Sequence, residues 1–180
     1  MTHHLRKAVH ADKDEIRSLI ERSARGLSAG DYSAEQVEGA LAGAFGVDSQ
    51  LIDDQTYFVV ERDGVLVGCG GWSRRRTLFG GDAHRERDAA LLDPQREAAR
   101  IRAFFVDPSH ARQGIGTAIL QRCEAAARAD GFSSFELMAT LPGVKLYAAL
   151  GYRARHSIQY RLPSGLDLEL VSMVKASAVI

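Results

Sequence analysis

The chain has 180 residues, of which 46% are hydrophobic and 26% charged, and its 23 basic side chains balance its 23 acidic ones. This composition is typical of a soluble globular protein and predicts one domain spanning residues 1–180. A formal net charge of zero gives no bulk attraction to nucleic acid or to an anionic membrane, so neither partner is expected.

Targeting and metal-binding signals are absent from the sequence. No apolar run approaches the roughly 18 residues of a membrane span, and "MTHHLRKAVH" lacks the apolar core of a signal peptide. Cys69 and Cys123 belong to no CxxC or metal-ligand pattern, so we expect two buried, reduced thiols and no metal. A cytoplasmic enzyme or binding domain fits these features best.

The first part of the chain predicts a strand, two helices and a hairpin. "LRKAV" is the strand, and apolar residues at helical spacing follow from Asp12 to about Arg25. A second helix begins at Ser33, whose side chain forms a capping box with Gln36, and ends at Gly46. "TYFVVERDGVLVGCGGW" then predicts two strands joined by Asp63–Gly64.

Residues 74–100 differ in composition and predict a surface insertion with a short helical turn. The insertion opens with three arginines, Arg74, Arg75 and Arg76. They could attract an acidic substrate, but a solvated strand end is the simpler interpretation. Substrate recognition would come from this insertion and from the turn around Leu27–Tyr32.

The second half alternates strands and helices. "IRAFFV" predicts a central strand, a helix runs from Gly114 to Asp130, and "FSSFELMAT" is the next strand. Pro142 begins a short helix with Leu146 and Leu150 on its inner face, and Gly151 ends it. "YRARHSIQYRL" and "LDLELVSMV" are the last two strands.

The turn "VDPSHARQGIGTAIL" passes from a strand to a helix across Gly114 and Gly116. Amides at a helix start have no intrahelical partner, and the helix dipole adds positive potential there, so a pyrophosphate could be bound. The alternative is a tight turn that only lets the helix pack on the sheet. Ile119 stands where a dinucleotide fingerprint needs its third glycine, and no Gly-Lys-Ser/Thr triplet occurs.

At this point the sequence resembles the GNAT superfamily of acetyl-CoA-dependent N-acetyltransferases. "FFVDPSHARQGIGTAIL" is similar to the family's Gln/Arg-x-x-Gly-x-Gly/Ala loop, and "VKLYAALGY" to its tyrosine–glycine segment. The resemblance implies an α/β, GNAT-like acyl-CoA N-acyltransferase fold, with a central mixed, mostly antiparallel sheet flanked by helices. Two positions depart from the family pattern: Ala111 replaces the first loop Gln/Arg, and Thr140 an asparagine before the tyrosine.

The resemblance also implies acetyl-CoA as co-substrate and assigns roles to residues. Tyr147 would be the general acid that protonates the leaving thiolate, unless it only packs on the cofactor or the sheet. Main-chain groups of a strand and of the glycine turn would contact the co-substrate: Phe104, Phe105, Val106, Arg112, Gln113, Gly114, Ile115, Gly116 and Thr117.

The sequence identifies no general base. Four candidates could equally be surface residues, and a water chain to a distant carboxylate is an alternative: Glu136, Asp82, His84 and Asp93. His110, within the loop, is expected at the surface or on the phosphate side.

The expected activity is acetyl transfer to a primary amine, preferably of a small molecule, by direct attack in a ternary complex. The alternatives are a non-catalytic acyl-CoA-binding sensor, a protein N-acetyltransferase, and transfer of a longer acyl group, against which Phe104 and Phe105 argue. The two C-terminal strands carry alternating apolar residues, Leu166, Leu168 and Leu170, and the resemblance implies that strands at this place lie near the sheet edge. An exposed edge invites pairing with a second copy, so a homodimer is expected.

Overall fold

The computed structural model describes residues 2–84 and 87–176 and contains a seven-stranded sheet. The strands are β1 (His4–Lys7), β2 (Tyr57–Arg62), β3 (Val65–Ser73), β4 (Ala99–Val106), β5 (Ser134–Thr140), β6 (Arg153–Arg161) and β7 (Asp167–Ala176). The helices are α1 (Lys13–Leu27), α2 (Ala34–Leu41), α3 (Ser49–Asp53), α4 (Ile115–Ala129) and α5 (Val144–Ala149).

The strand order is β1-β2-β3-β4-β5-β7-β6, and β4 with β5 is the parallel pair among antiparallel neighbours. One buried cluster joins α1, α2 and α3 to one face of the sheet. A second joins α4 and α5 to the other face. The predicted mixed, mostly antiparallel sheet flanked by helices is therefore confirmed.

Local sequence signals account for several element ends. Ser33 Oγ accepts from the Gln36 amide, and the Gln36 side chain accepts from the Ser33 amide, which confirms the capping box. Asp63 and Gly64 both have positive φ, 52° and 78°, as a type I′ hairpin turn requires. Gly151 follows α5 with φ 94°, the left-handed conformation of a helix end.

The predicted end of the second helix is wrong. The helix stops at Leu41. The Phe45 amide donates to Ala40 O, five residues earlier, which is a hydrogen bond typical of a helix C-terminus. Phe45 is still buried, but as part of the following loop. The short helix α3, which the sequence did not predict, is capped by Asp48 through the Gln50 amide.

The insertion between β3 and β4 is partly a core element. Its predicted helical turn is present, since the amides of Arg96 and Glu97 both donate to Asp93 O. Thr77, His84 and Leu92 are buried, however, so the segment packs into the molecule rather than only covering it.

Both cysteines are buried free thiols, as expected. Burial raises the pKa of Cys69 to about 12 and that of Cys123 well above its usual value. Neither thiol is therefore a nucleophile in the folded protein.

The alternating leucines near the C-terminus place two side chains in the hydrophobic core. Leu168 and Leu170 are buried between the sheet and its helices, and Leu166 is 36% exposed. β7 lies between β5 and β6, so β6 is one edge strand of the described sheet and β1 is the other, and the first residues of β6 are exposed.

Candidate active site

A cleft opens in the sheet between β4 and β5. The two parallel strands pair only at Ala99–Phe135 and Arg100–Glu136 and then separate. The loop after α2, the insertion and α5 complete the walls. The lining residues are Ala44, Phe45, Gly46, Leu78, Phe79, Gly80, Gly81, Ile101, Arg102, Ala103, Phe104, Phe105, Leu137, Met138, Thr140, Tyr147 and Leu170.

A β-bulge interrupts β4 inside this cleft. Cys69 pairs with Phe105 and Gly71 with Arg102, so Ala103 and Phe104 together face a single residue of β3. Ala103 has φ 57°, in the left-handed region that residues with a side chain seldom adopt. Such a conformation is retained where surrounding contacts enforce it, often at functional sites.

The bulge aims one backbone amide into the cleft. Asp107 donates its amide to Val67 O on β3, and amides along a strand alternate in direction. The amides of Phe104 and Val106 therefore point away from β3, toward the gap. The Val106 amide donates to Ser23 Oγ of α1 at 3.2 Å. Phe104 has no pairing partner in the β3–β4 register.

The glycine turn lies beyond the end of β4 and begins α4. Arg112 and Gly114 have φ of 59° and 83°, so the chain turns sharply and leaves Arg112, Gln113 and Gly114 exposed. Gly114 caps α4, and no side chain caps the helix there. The first-turn amides and the dipole of a 15-residue helix thus form a positive concavity suited to phosphate.

Glycine is required at positions 114 and 116 of the turn for different physical reasons. A Cβ on Gly114 would meet nothing within 4 Å, so packing does not require glycine there, whereas φ 83° does. A Cβ on Gly116 would lie 3.0 Å from Leu146 Cδ2 and 3.8 Å from Val106 Cγ2. Gly116 therefore lets α4 approach α5 and β4 closely. At this position the glycine serves helix packing, which was the alternative to phosphate binding.

Tyr147 lies in the cleft wall opposite the bulge. Its side chain is the buried one of α5, whereas the predicted inner residues Leu146 and Leu150 are only half-buried. The prediction holds for Leu150, which packs against the second buried cluster, but Leu146 lies against Gly116 of α4 instead. The Tyr147 ring packs edge-on against Phe104, with centroids 6.2 Å apart, and against Tyr152.

The environment of Tyr147 keeps its hydroxyl protonated. Burial raises its pKa above the usual value near ~10. Within residues 2–84 and 87–176, no side chain or backbone group hydrogen-bonds this hydroxyl. The group is thus a proton donor facing a mainly apolar cleft.

The four candidate bases lie outside the described cleft lining. Glu136 forms an ion pair with Arg100 at 2.6 Å, and Asp82 accepts from the amide and hydroxyl of Ser49. Asp93 is exposed and accepts from the Gln95 amide.

His84 and His110 also have defined surroundings. His84 Nδ1 lies 3.1 Å from the Tyr160 hydroxyl, and its ring packs on Phe79, a residue of the cleft wall. His110 lies beside Asp107 in the loop, with 3.4 Å between Nδ1 and Oδ1.

A buried charge cluster that sequence reasoning missed lies beside the part of the cleft that the insertion lines. Asp48 is fully buried and pairs with Arg102 at 2.7 Å and Arg87 at 3.0 Å. Arg102 also donates to Gly80 O, and Arg87 to Gly81 O at 2.8 Å. The cluster therefore fixes two cleft-lining residues of the insertion to β4. Its one sequence signal is the lone charge within "IRAFFV".

We expect Asp48→Ala to lower the free energy of unfolding by about 3–5 kcal/mol, since it strands a buried guanidinium without its counter-ion. Asp53→Ala, which removes an exposed partner of His10, should cost only about 0–1 kcal/mol. Urea denaturation of both variants measures the difference, and equal losses would refute the structural role of the cluster.

The two segments predicted to recognise substrate have other contacts. Arg74 pairs with Asp130, Arg75 with Asp54 and Arg76 with Glu97, so each guanidinium has a carboxylate partner within the protein, which argues against the attraction of an acidic substrate. Residues 27–32 do not occur in the described cleft lining. Within this segment, the Tyr32 hydroxyl donates to Glu169 O and accepts from the Leu141 amide, so it is bonded to the protein.

The described residues contain neither a membrane-spanning helix nor a cluster of metal ligands. No helix there is long and apolar enough to span a membrane. In the same ranges, no group of three or more His, Cys, Asp or Glu side chains could hold a metal ion.

Comparisons with known proteins agree on one family. A model of the acetyltransferase (GNAT) family matches residues 17–152. A search of curated proteins found no match. Among solved structures, a GCN5-related N-acetyltransferase from Rhodopseudomonas palustris is 22% identical with a TM-score of 0.71, covering 98% of this chain and 96% of that one.

Two further structures were solved with the co-substrate or its product. PaiA N-acetyltransferase from Thermoplasma acidophilum, in complex with coenzyme A, is 16% identical with a TM-score of 0.67 and coverage of 98% and 99%. YncA, a putative acetyltransferase from Salmonella typhimurium with acetyl-CoA, is 18% identical with a TM-score of 0.65 and coverage of 100% and 96%. Because the family model covers most of the sequence and these structures share its fold, the chain belongs to the GNAT family of acetyltransferases.

Proposed function

We propose that the protein transfers an acetyl group from acetyl-CoA to a primary amine of a small molecule. The observation that carries the proposal is the arrangement around the second half of β4: the turn of uncapped amides that begins α4 beyond the end of the strand, an inward amide at the β4 bulge, and Tyr147 in the opposite wall of the cleft. These three features match the diphosphate, the thioester carbonyl and the leaving sulfur of acetyl-CoA.

The co-substrate fits the residues that would hold it. Main-chain groups of residues 112–117 would bind the diphosphate, and the strand Phe104–Phe105–Val106 would contact the pantetheine arm. Acetyl-CoA supplies an activated carbonyl carbon that the amine can attack. Phe104 and Phe105 both line the cleft and narrow it, which favours acetyl over a longer acyl group.

The reaction is a direct displacement in a ternary complex. The amine nitrogen forms a bond to the thioester carbon while the carbon–sulfur bond breaks. The Phe104 amide stabilises charge on the carbonyl oxygen, an interaction typically worth ~10²–10³ in rate. Tyr147 gives its proton to the departing thiolate and takes one back from solvent, into which the amine releases its own proton.

The test is thiol release from acetyl-CoA with a panel of amines, alongside calorimetric binding of acetyl-CoA. We expect binding and amine-dependent thiol release, fastest with small primary amines. Binding without release from any amine would favour the acyl-CoA sensor. Release only with peptides that carry a free amine would favour a protein acceptor.

The homodimer remains a prediction that places the outer strand β6 at the interface. The strand leaves one edge unpaired in the described sheet, but it carries Arg153, Arg155 and Arg161. Like charges at an edge oppose self-pairing, and salt screens them. Light scattering at micromolar concentration should therefore show a dimer fraction that rises with salt. A monomer at every salt concentration would contradict the prediction.

A further inference from the structure

A buried hydroxyl lies directly behind the β4 bulge. Tyr57 of β2 is completely buried, and its hydroxyl lies 3.2 Å from Ala103 O and 3.3 Å from Cys69 Sγ. Cys69 Sγ is itself 3.7 Å from Ala103 O. The bulge carbonyl thus accepts from one or both of these side chains.

This carbonyl needs such a partner. Ala103 has no partner in the β3–β4 register, because the bulge removes it from the ladder. Leaving a buried carbonyl without a hydrogen bond destabilises the folded protein. A phenylalanine at position 57 would fill the same space but could not donate to this oxygen, which would keep only the weaker Cys69 thiol donor at 3.7 Å.

The same peptide group carries the amide that faces the cleft. Ala103 C=O and Phe104 N–H belong to one peptide bond, and the described chain contains no cis peptide. In a trans peptide the N–H points opposite to the C=O. Because Tyr57 holds the oxygen on the core side, the Phe104 amide is directed into the gap between β4 and β5. This agrees with the direction obtained from strand alternation at Asp107.

We propose that Tyr57 is a positioning residue for the acyl-transfer step: its hydroxyl fixes and polarises the peptide group whose Phe104 amide binds the thioester carbonyl. The inference rests on the proposed function. Hydrogen bonds in a chain strengthen one another, by about 10–30% per bond, so donation to the carbonyl makes the amide a better donor. Tyr57 does not touch the substrate and acts only through this peptide.

The test compares Tyr57→Phe with Tyr32→Phe. Both variants delete a buried tyrosine hydroxyl with two hydrogen-bonding neighbours, but Tyr32 bonds Glu169 O and Leu141 N, away from the bulge. Isotope-edited infrared spectroscopy of bound [¹³C-carbonyl]acetyl-CoA, without amine, reports the hydrogen bond to the thioester oxygen. Urea denaturation of both variants reports the loss of stability.

In Tyr57→Phe we expect the carbonyl band to move to higher wavenumber, because a weaker donor leaves the C=O bond stronger. The value of kcat should fall by up to about 10²-fold, less than for loss of an oxyanion donor itself, while the Kd of acetyl-CoA changes little. In Tyr32→Phe the band should stay at the wild-type position despite a similar loss of stability. A Tyr57→Phe band equal to that of wild type would overturn the proposal.

Cys69→Ala gives an independent result even if Tyr57→Phe does not fold. Removing the sulfur leaves Ala103 O as the one acceptor beside the Tyr57 hydroxyl, so the band should stay or move to lower wavenumber. A move to higher wavenumber would contradict the role of Tyr57. Failure of the proposed function is distinguished from failure of the Tyr57 role by the wild-type protein. In that case the wild-type protein does not bind acetyl-CoA or shows no turnover with any amine.

Discussion

Tyr147→Phe should lower kcat by a factor of ~10²–10⁴, the usual contribution of general acid catalysis, and should leave the affinity for acetyl-CoA nearly unchanged. The substitution removes the proton donor but keeps the ring that packs against Phe104 and Tyr152. Single-turnover kinetics is the appropriate measurement, because product release can hide the chemical step.

Tyr152→Phe is the matched control. Tyr152 is a buried tyrosine whose ring packs against that of Tyr147, but its hydroxyl donates to Glu124, which lies outside the cleft lining. The kcat of Tyr152→Phe should therefore stay near the wild-type value. If Tyr147 only packs, Tyr147→Phe would turn over normally and only Tyr147→Ala would lose cofactor affinity. A Phe variant with wild-type single-turnover rate would end the general-acid role.

The pH profile follows from the raised pKa of Tyr147. A general acid works in its protonated form, so activity is lost as pH rises through its pKa in the folded protein. Because burial raises that pKa above the ordinary value of ~10, the wild-type rate should show no falling limb due to this group below about pH 10. A tyrosine-dependent falling limb near neutral pH would contradict the assignment.

Gly114→Ala should weaken acetyl-CoA binding by about tenfold or more, equivalent to at least ~1.4 kcal/mol. The added Cβ would meet no protein atom within 4 Å, so its steric effect falls on whatever approaches the turn from outside. Gly114 is a cleaner test than Gly116, where a side chain would displace Leu146. Isothermal calorimetry measures the change.

Gly165→Ala controls for backbone strain. Gly165 has φ 88°, its Cβ would also meet nothing within 4 Å, and it lies in the β6–β7 turn. Both variants should lose a similar stability of about 1–2 kcal/mol, but only Gly114→Ala should bind acetyl-CoA more weakly. S-acetylpantetheine, which lacks the diphosphate, should have the same KM with both. Equal acetyl-CoA affinity in the two variants would refute the phosphate-binding turn.

The sequence predicted those features that depend on neighbouring residues. The Ser33 capping box, the Asp63–Gly64 hairpin and the Gly114 turn each require particular residue types within a few positions, so local pattern is sufficient. The order of strands and helices follows from hydrophobic periodicity for the same reason.

The missed features depend on residues far apart in the chain. The bulge at Ala103 lies opposite Gly70 of β3 and its carbonyl contacts the Tyr57 hydroxyl, and no local signal marks it. The ion pair of Asp48 with Arg102 also joins separate elements, and α3 is too short for periodicity to reveal. Which of Leu146 and Tyr147 is buried likewise depends on contacts with other elements, α4 for Leu146 and β4 for Tyr147.

Transfer of the acetyl group itself is the most direct test of the proposed function. The protein is incubated with [¹³C-carbonyl]acetyl-CoA and the best small amine of the panel, and the label is followed by ¹³C nuclear magnetic resonance. We expect the thioester signal to decrease while an amide signal grows in equal amount, with neither change in the absence of amine. A thioester signal that persists on the bound protein, or label that appears as acetate instead of amide, would contradict acetyl transfer to an amine.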